Sequence, residues 1–288
     1  MILFDETRPL FVFGGPYSNL QATEAALQEA ARLAIPSGNL ICTGDVVAYA
    51  GDPLASIAAV RHSGAHVIAG NCEEQLGAEA DDCGCGFDEG SACDRLSRDW
   101  YAFANAEMTP DARAWMRGLP PTLEGVYRGR TLRVVHGGVA SNNRFLFASQ
   151  HADLAQEFRA AAADVVIAGH SGLPFIGQTD GGVWFNPGVV GVPANDGTRD
   201  GWYGLIAPAS DDPRDGLVFS THRLAYDWQA AAASIRASGH ADPYAEALET
   251  GRWPSLDILP DRERAATGKA IAPERLTAFA ALHAGAAG

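Results

Sequence analysis

Short apolar runs that end in glycine alternate with longer stretches of helical spacing through the first quarter of the chain. Leu10-Phe11-Val12-Phe13 runs into Gly14-Gly15-Pro16, which predicts a buried strand and a tight turn. Ser18 or Asn19 caps the helix expected next, with Leu20, Leu27 and Ala31 on its inner face. Asn39 to Thr43 predicts a second strand, ending in Gly44-Asp45. Asp52-Pro53 opens a second helix through Ile57, Val60 and Arg61. His66 to Ala69 predicts a third strand, and Gly70 permits the bend that leads to Asn71. Strands alternating with helices imply a parallel sheet with right-handed crossovers.

The alternation then breaks. Residues 72–93 are rich in Gly, Asp, Glu and Cys and show no period. Helices are expected near 94–106 and 110–118, and a hairpin at 122–127 and 131–135 around Arg128-Gly129-Arg130. A helix at about 151–162 precedes the apolar strand Asp164 to Ala168, which ends in Gly169-His170. Short strands follow near 174–178, 182–186, 201–207 and 216–223, then a helical stretch at 227–250 broken near Gly239. The organisation expected is one domain over 1–254, with 72–93 as a cysteine-rich insert. A tail over 255–288 carries a last helix at 275–284.

Composition narrows the class. At 288 residues, 47% hydrophobic and 19% charged, the chain suits a globular protein with a real core. No apolar run is long enough to span a bilayer, and the acidic start Met1 to Glu6 lacks the basic and apolar regions of a secretory signal. A cytoplasmic, non-membrane protein is expected. The net charge of −14 disfavours nucleic-acid polymers, whose phosphates it would repel, but not a small anion held by a metal.

Four strand ends carry a polar side chain beside glycine: Asp45, Asn71, His136 and His170. In a parallel sheet such ends share an edge, where ligands bind. Taken singly, a Gly-Asp pair is most often a turn and a lone His a hydrogen-bonded structural residue. In series they form a mixed oxygen–nitrogen set suited to a divalent transition metal, Mn, Fe or Zn.

The series Gly44-Asp45, Gly70-Asn71-Cys72, Val135-His136-Gly137 and Gly169-His170, with Asn186-Pro187-Gly188 and Tyr203, resembles the calcineurin-like metallophosphoesterase family over about residues 10–250. The resemblance implies a four-layer α/β/β/α sandwich with mixed sheets. It also implies a two-metal site between the sheet ends and hydrolysis of a phosphate ester by a metal-activated water. The family's first motif is Asp-x-His-Gly-Asn. Here Gly15-Pro16-Tyr17-Ser18-Asn19 puts Gly15 and Tyr17 in the ligand positions. The last motif, Gly-His-x-His, is Gly169-His170-Ser171-Gly172. By this resemblance the residues private to the first metal are lost, and Asp45, Asn71, His136 and His170, the set for the second, remain.

Tyr17 then either ligates, donates a hydrogen bond or fills space, and Asn19 caps its helix or orients the site. Arg144 is either a phosphate ligand or a surface residue. Four of the five cysteines, Cys72, Cys83, Cys85 and Cys93, fall in the aperiodic segment. Three readings stay open: a structural zinc, ordinary loop thiols or a disulfide, and thiolates that fold back to replace the lost first-site ligands. The expected function is hydrolysis of a small phosphate ester, a nucleotide among the candidates, at a reduced or remodelled metal centre. The rivals are a non-catalytic protein that binds metal or phosphate ligands, and other chemistry at a cysteine-bearing Zn or Fe centre.

Overall fold

The computed structural model describes residues 1–179, 181–239 and 242–280. In chain order the elements are β1 (Ile2–Leu3), β2 (Leu10–Phe13), α1 (Leu20–Arg32), β3 (Leu40–Cys42), α2 (Pro53–Ser63), β4 (His66–Val67) and α3 (Asn71–Ala78). Next come α4 (Ala92–Glu107), α5 (Pro110–Arg117), β5 (Leu123–Tyr127), β6 (Arg130–Val134), α6 (His151–Ala161), β7 (Val165–Ile167), β8 (Pro174–Thr179) and β9 (Gly182–Pro187). The last are β10 (Gly201–Pro208), β11 (Leu217–Leu224), α7 (Trp228–Ser238), α8 (Asp242–Thr250), α9 (Asp261–Ala265) and β12 (Arg275–Ala278).

The strands form two six-stranded mixed sheets, ordered β1-β5-β6-β7-β9-β8 and β12-β11-β10-β2-β3-β4. The two-residue period of each strand builds the layers. In β2, Leu10 and Val12 face the other sheet, while Phe11 and Phe13 face the helices. In β7, Val165 and Ile167 enter the inter-sheet core, and Val166 packs with Leu154 and Phe158 of α6. Each fully buried side chain of this size stabilises the fold by about 1.5–3 kcal/mol. The result is the α/β/β/α sandwich. No described helix is long and apolar enough to cross a membrane.

Three expectations need correction. The aperiodic segment begins with a helix, α3, whose two turns are too short to show a period; Cys72 and Leu76 form its buried face. The inner face of α1 is Ala22, Thr23, Ala26 and Ala30, because small side chains let the helix approach the sheet closely; Leu20 and Leu27 lie at its flank and Ala31 is exposed. Residues 275–278 are a strand and not a helix, since β12 pairs with the open edge of β11 and Leu276 reaches the inter-sheet core. The rest of that expected helix, 281–284, lies outside the described residues.

Candidate metal centre

The four polar strand ends meet at the seam between the sheets. Asp45 and Asn71 follow β3 and β4 of one sheet; His136 and His170 follow β6 and β7 of the other. These strands run parallel to a neighbour within each sheet, so their carboxyl ends point to one edge. Close approach of the two loops in the first sheet requires glycine. A Cβ on Gly44, whose φ is +91°, would stand 2.5 Å from the amide nitrogen of Gly70.

His136 is the hub. Its Nε2 lies 3.1 Å from Asp45 Oδ2, 3.1 Å from Asn71 Oδ1 and 3.1 Å from His170 Nδ1. Its Nδ1 donates to the Thr43 carbonyl at 2.6 Å. That bond fixes the tautomer and leaves Nε2 a lone pair when the ring is neutral. Asn71 is oriented as firmly, because its Nδ2 donates to the Cys83 carbonyl at 2.9 Å and faces Cys85 Sγ at 3.3 Å, so Oδ1 must face the histidines. A carboxylate oxygen, an amide oxygen and two imidazole nitrogens thus converge, all buried. Lone pairs gathered so closely can share a cation. The donor atoms of Asp45, His136 and His170 lie within 4.8 Å of one another, and with Asn71 Oδ1 they fit a divalent transition ion.

The electrostatics agree. Burial alone would push the His136 imidazolium down, but Asp45 beside it more than offsets this and the net shift is up. Burial raises Asp45, and the His136 and His170 rings outweigh it and hold the carboxyl low. Burial and the nearby His136 push His170 down to about 3, so its ring stays neutral and open as a ligand. Phe145 stacks on it with ring centroids 4.2 Å apart.

Two of the four strand-end residues hold strained backbone: Asp45 at φ +55° and His170 at φ +60°. Such conformations cost about 1–3 kcal/mol and persist only where neighbours enforce them. Glu73, which the sequence reading missed, enforces the first. Its Oε2 accepts from the amides of Asp45 (2.7 Å) and Gly70 (2.9 Å), and its Oε1 from Val46 (2.7 Å) and Val47 (3.3 Å). Burial and the adjacent Asp45 push Glu73 up to about 7. The available signal was its place three residues after Gly70, the spacing of a capping box. Asn186 enforces the second, donating to the Gly169 carbonyl (3.0 Å) and Ser171 Oγ (2.9 Å) while accepting from the Gly188 amide (3.0 Å).

The remaining candidates fall elsewhere. Asn19 caps α1 through Ala22 N at 3.0 Å and donates to the Gly191 carbonyl at 2.8 Å. The Arg144 guanidinium is held on α6 by Glu157 (2.5 Å) and Asp153 (2.8 Å), and it is its neighbour Phe145 that faces the site. The four cysteines form no four-sulfur cluster. Cys83 and Cys85 are disulfide-bonded, Cys72 donates its amide to Asp45 Oδ1 at 3.2 Å, and Cys93 sits against Ser255 and Asp257. The physical reason is the course of the chain: 83–85 folds back over Asn71, whereas 93 opens α4. The Asn71 amide presents nitrogen to the Cys85 sulfur and oxygen to the histidines, while Cys85 and Cys93 line the pocket beside Asp45 and His170. Cys83→Ser and Cys85→Ser are therefore expected to retain the wild-type ion content by elemental analysis, since the Cys83 carbonyl that orients Asn71 survives both changes.

Aromatic rings stand over two of the glycines that depart from the family's motifs. A Cβ on Gly15 would come within 2.6 Å of Tyr17 Cζ, and one on Gly172 within 3.0 Å of Trp253 Cζ2. Tyr17, at φ +51°, is buried and packs on Tyr49 at 4.7 Å between ring centroids.

The fold has solved counterparts. A metallophosphoesterase from Sphaerobacter thermophilus is 19% identical with a TM-score of 0.66, and the match covers 85% of this chain and 99% of that one. A hypothetical protein from Pyrococcus horikoshii OT3 is 17% identical with a TM-score of 0.67, again over 85% and 99%. At this identity the likeness is one of fold. No curated protein matches the chain. Residues 18–206 match the model of the calcineurin-like phosphoesterase superfamily domain, a span that starts just past the altered Gly15 and Tyr17 and takes in all four strand-end residues. With most of its length matched and its strand ends converging as described, the chain belongs to the calcineurin-like phosphoesterase superfamily.

Proposed function

We propose that the protein hydrolyses a small phosphate ester with one divalent transition ion, Mn, Fe or Zn, held by Asp45, Asn71, His136 and His170. The observation that carries this is the convergence of Asp45 Oδ2, Asn71 Oδ1 and His170 Nδ1, each at 3.1 Å, on Nε2 of His136. When bound, such an ion polarises a phosphoryl oxygen and lowers the pKa of a water toward ~7. The chain supplies fixed geometry. The Thr43 and Cys83 carbonyls set which atoms of His136 and Asn71 face the ion, Glu73 and Asn186 hold the strained ligand turns, and Phe145 shields one face of His170 from water. The acidic surface makes a nucleic-acid polymer a poor substrate.

Metal-free protein should be assayed on a panel of phosphomonoesters and phosphodiesters with Mn, Fe, Zn, Co or Ni added singly. Turnover that a chelator removes and one of these ions restores is the expected result, with His170→Ala at least about a hundredfold slower, since even outer residues of metal sites cost about 10–100-fold. Ligand binding without turnover under every ion would mark a binding protein instead.

A further inference from the structure

The metal centre opens into a narrow pocket with a cavity volume of about 70 Å³, room for on the order of five waters. Asp45 and His170 reach its wall. Six of the other sixteen lining residues are aromatic: Tyr17, Tyr49, Tyr244, Phe87, Phe145 and Trp253. The rings are ordered on one another. Tyr49 stacks on Tyr244 at 4.4 Å and 16°, Phe87 on Phe145 at 6.0 Å and 16°, and Phe145 on His170. Trp253 is locked by its indole N–H, which donates to the Pro193 carbonyl at 2.6 Å. No lysine or arginine lines the pocket among the described residues, and the nearby Arg144 is engaged by Asp153 and Glu157.

Two consequences follow. The space left by Gly15 and Gly172 is walled by Tyr17 and Trp253, so the site meets its substrate with an apolar surface where charged ligands would otherwise stand. The charge balance is also narrow. The buried carboxylates of Asp45 and Glu73 already stand around the place of an ion, and no cationic side chain lines the pocket. The second negative charge of a dianion would therefore meet no counter-charge against the aromatic walls, which is costly.

We propose that this aromatic wall is a subsite for an apolar group esterified to phosphorus, and that the protein therefore selects monoanionic phosphodiesters bearing a small aryl or comparable apolar group over dianionic monoesters. The proposal rests on the metal-centred reading above and adds the substrate class. Hydrolysis would add one water across the P–O bond, giving a phosphomonoester and a free alcohol or phenol, with a proton released to solvent.

The test is binding by inert analogues, read by calorimetry on ion-loaded protein at mildly alkaline pH. The ligands are methyl(phenyl)phosphinate (monoanionic, with a ring), dimethylphosphinate (monoanionic, without one) and phenylphosphonate (a dianion with a ring), none of which carries an ester bond. Methyl(phenyl)phosphinate is expected to bind about tenfold more tightly than either of the others. Trp253→Ala and Phe145→Ala, checked for wild-type ion content, should erase the preference for the ring, while Trp253→Phe should keep most of it. Equal binding of phenylphosphonate, or of dimethylphosphinate, by the wild-type protein overturns the proposal without recourse to any variant. Chelator-sensitive hydrolysis without this ligand preference would leave the proposed function standing and remove the substrate class. The preference without hydrolysis would do the reverse.

Discussion

His136→Ala is expected to abolish ion binding and to lower any metal-dependent hydrolysis by at least about a thousandfold, beyond the roughly 10–100-fold cost of losing an outer-shell partner. The reason is geometric. Asp45 Oδ2, Asn71 Oδ1 and His170 Nδ1 each lie 3.1 Å from one atom, His136 Nε2. Removing the ring takes away the central donor and also leaves the buried Asp45 carboxylate without its counter-charge, a change that costs about 3–5 kcal/mol when one partner of a buried pair is deleted. Two measurements separate the effects. Elemental analysis reports the ion. Thermal unfolding with and without added metal reports the linkage, because wild-type protein gains about 2.7 kcal/mol at an ion concentration a hundred times Kd. The variant should show a lower melting temperature without metal and no upward shift with it. A wild-type metal shift in His136→Ala would remove His136 from the centre.

Glu73→Gln should have the second-largest effect, and on stability as much as on the site. The four amides of Asp45, Val46, Val47 and Gly70 all donate to its two oxygens. A glutamine offers one acceptor oxygen and turns an N–H₂ toward the other pair, so two buried N–H groups lose their partner in either orientation. At about 1–3 kcal/mol for each unsatisfied group, the expected loss is about 2–6 kcal/mol in urea unfolding at pH 8. The loop that holds Asp45 at φ +55° would relax, and ion affinity should fall by at least about tenfold. Glu73→Asp keeps the charge but shortens the reach, and should fall between the two. Unchanged stability in Glu73→Gln would show that the amides are served by other groups.

Much of the centre was legible before folding was considered. Asp45, Asn71, His136 and His170 each end an apolar run beside glycine, a local pattern that survives folding because strand direction carries all four residues to one edge. Glu73 was not legible, since a glutamate in an acidic segment looks like solvated surface until the amides it caps are in view. The α1 face was misjudged for a related reason: leucine outweighs alanine by hydrophobicity, whereas close packing on a sheet favours alanine. Likewise, 275–278 has helical composition, yet the unpaired edge of β11 drew it into the sheet.

The sequence by itself placed Asp45, Asn71, His136 and His170 at the ends of apolar runs, because these are identities at fixed offsets from strand ends, and its resemblance to the family marked Gly15, Tyr17 and Gly172 as departures from the family's motifs. Only the tertiary structure decided what stands around those departures. Tyr17 lies two residues from Gly15, but its ring turns back over that glycine because the backbone takes φ +51°. Trp253 covers Gly172 from far along the chain, held by Pro193. The motif offset marks the position of Tyr17, but no local pattern marks Trp253, since an aromatic residue there looks like core. Its place over Gly172 depends on a contact across long sequence separation, and packing alone supplies it.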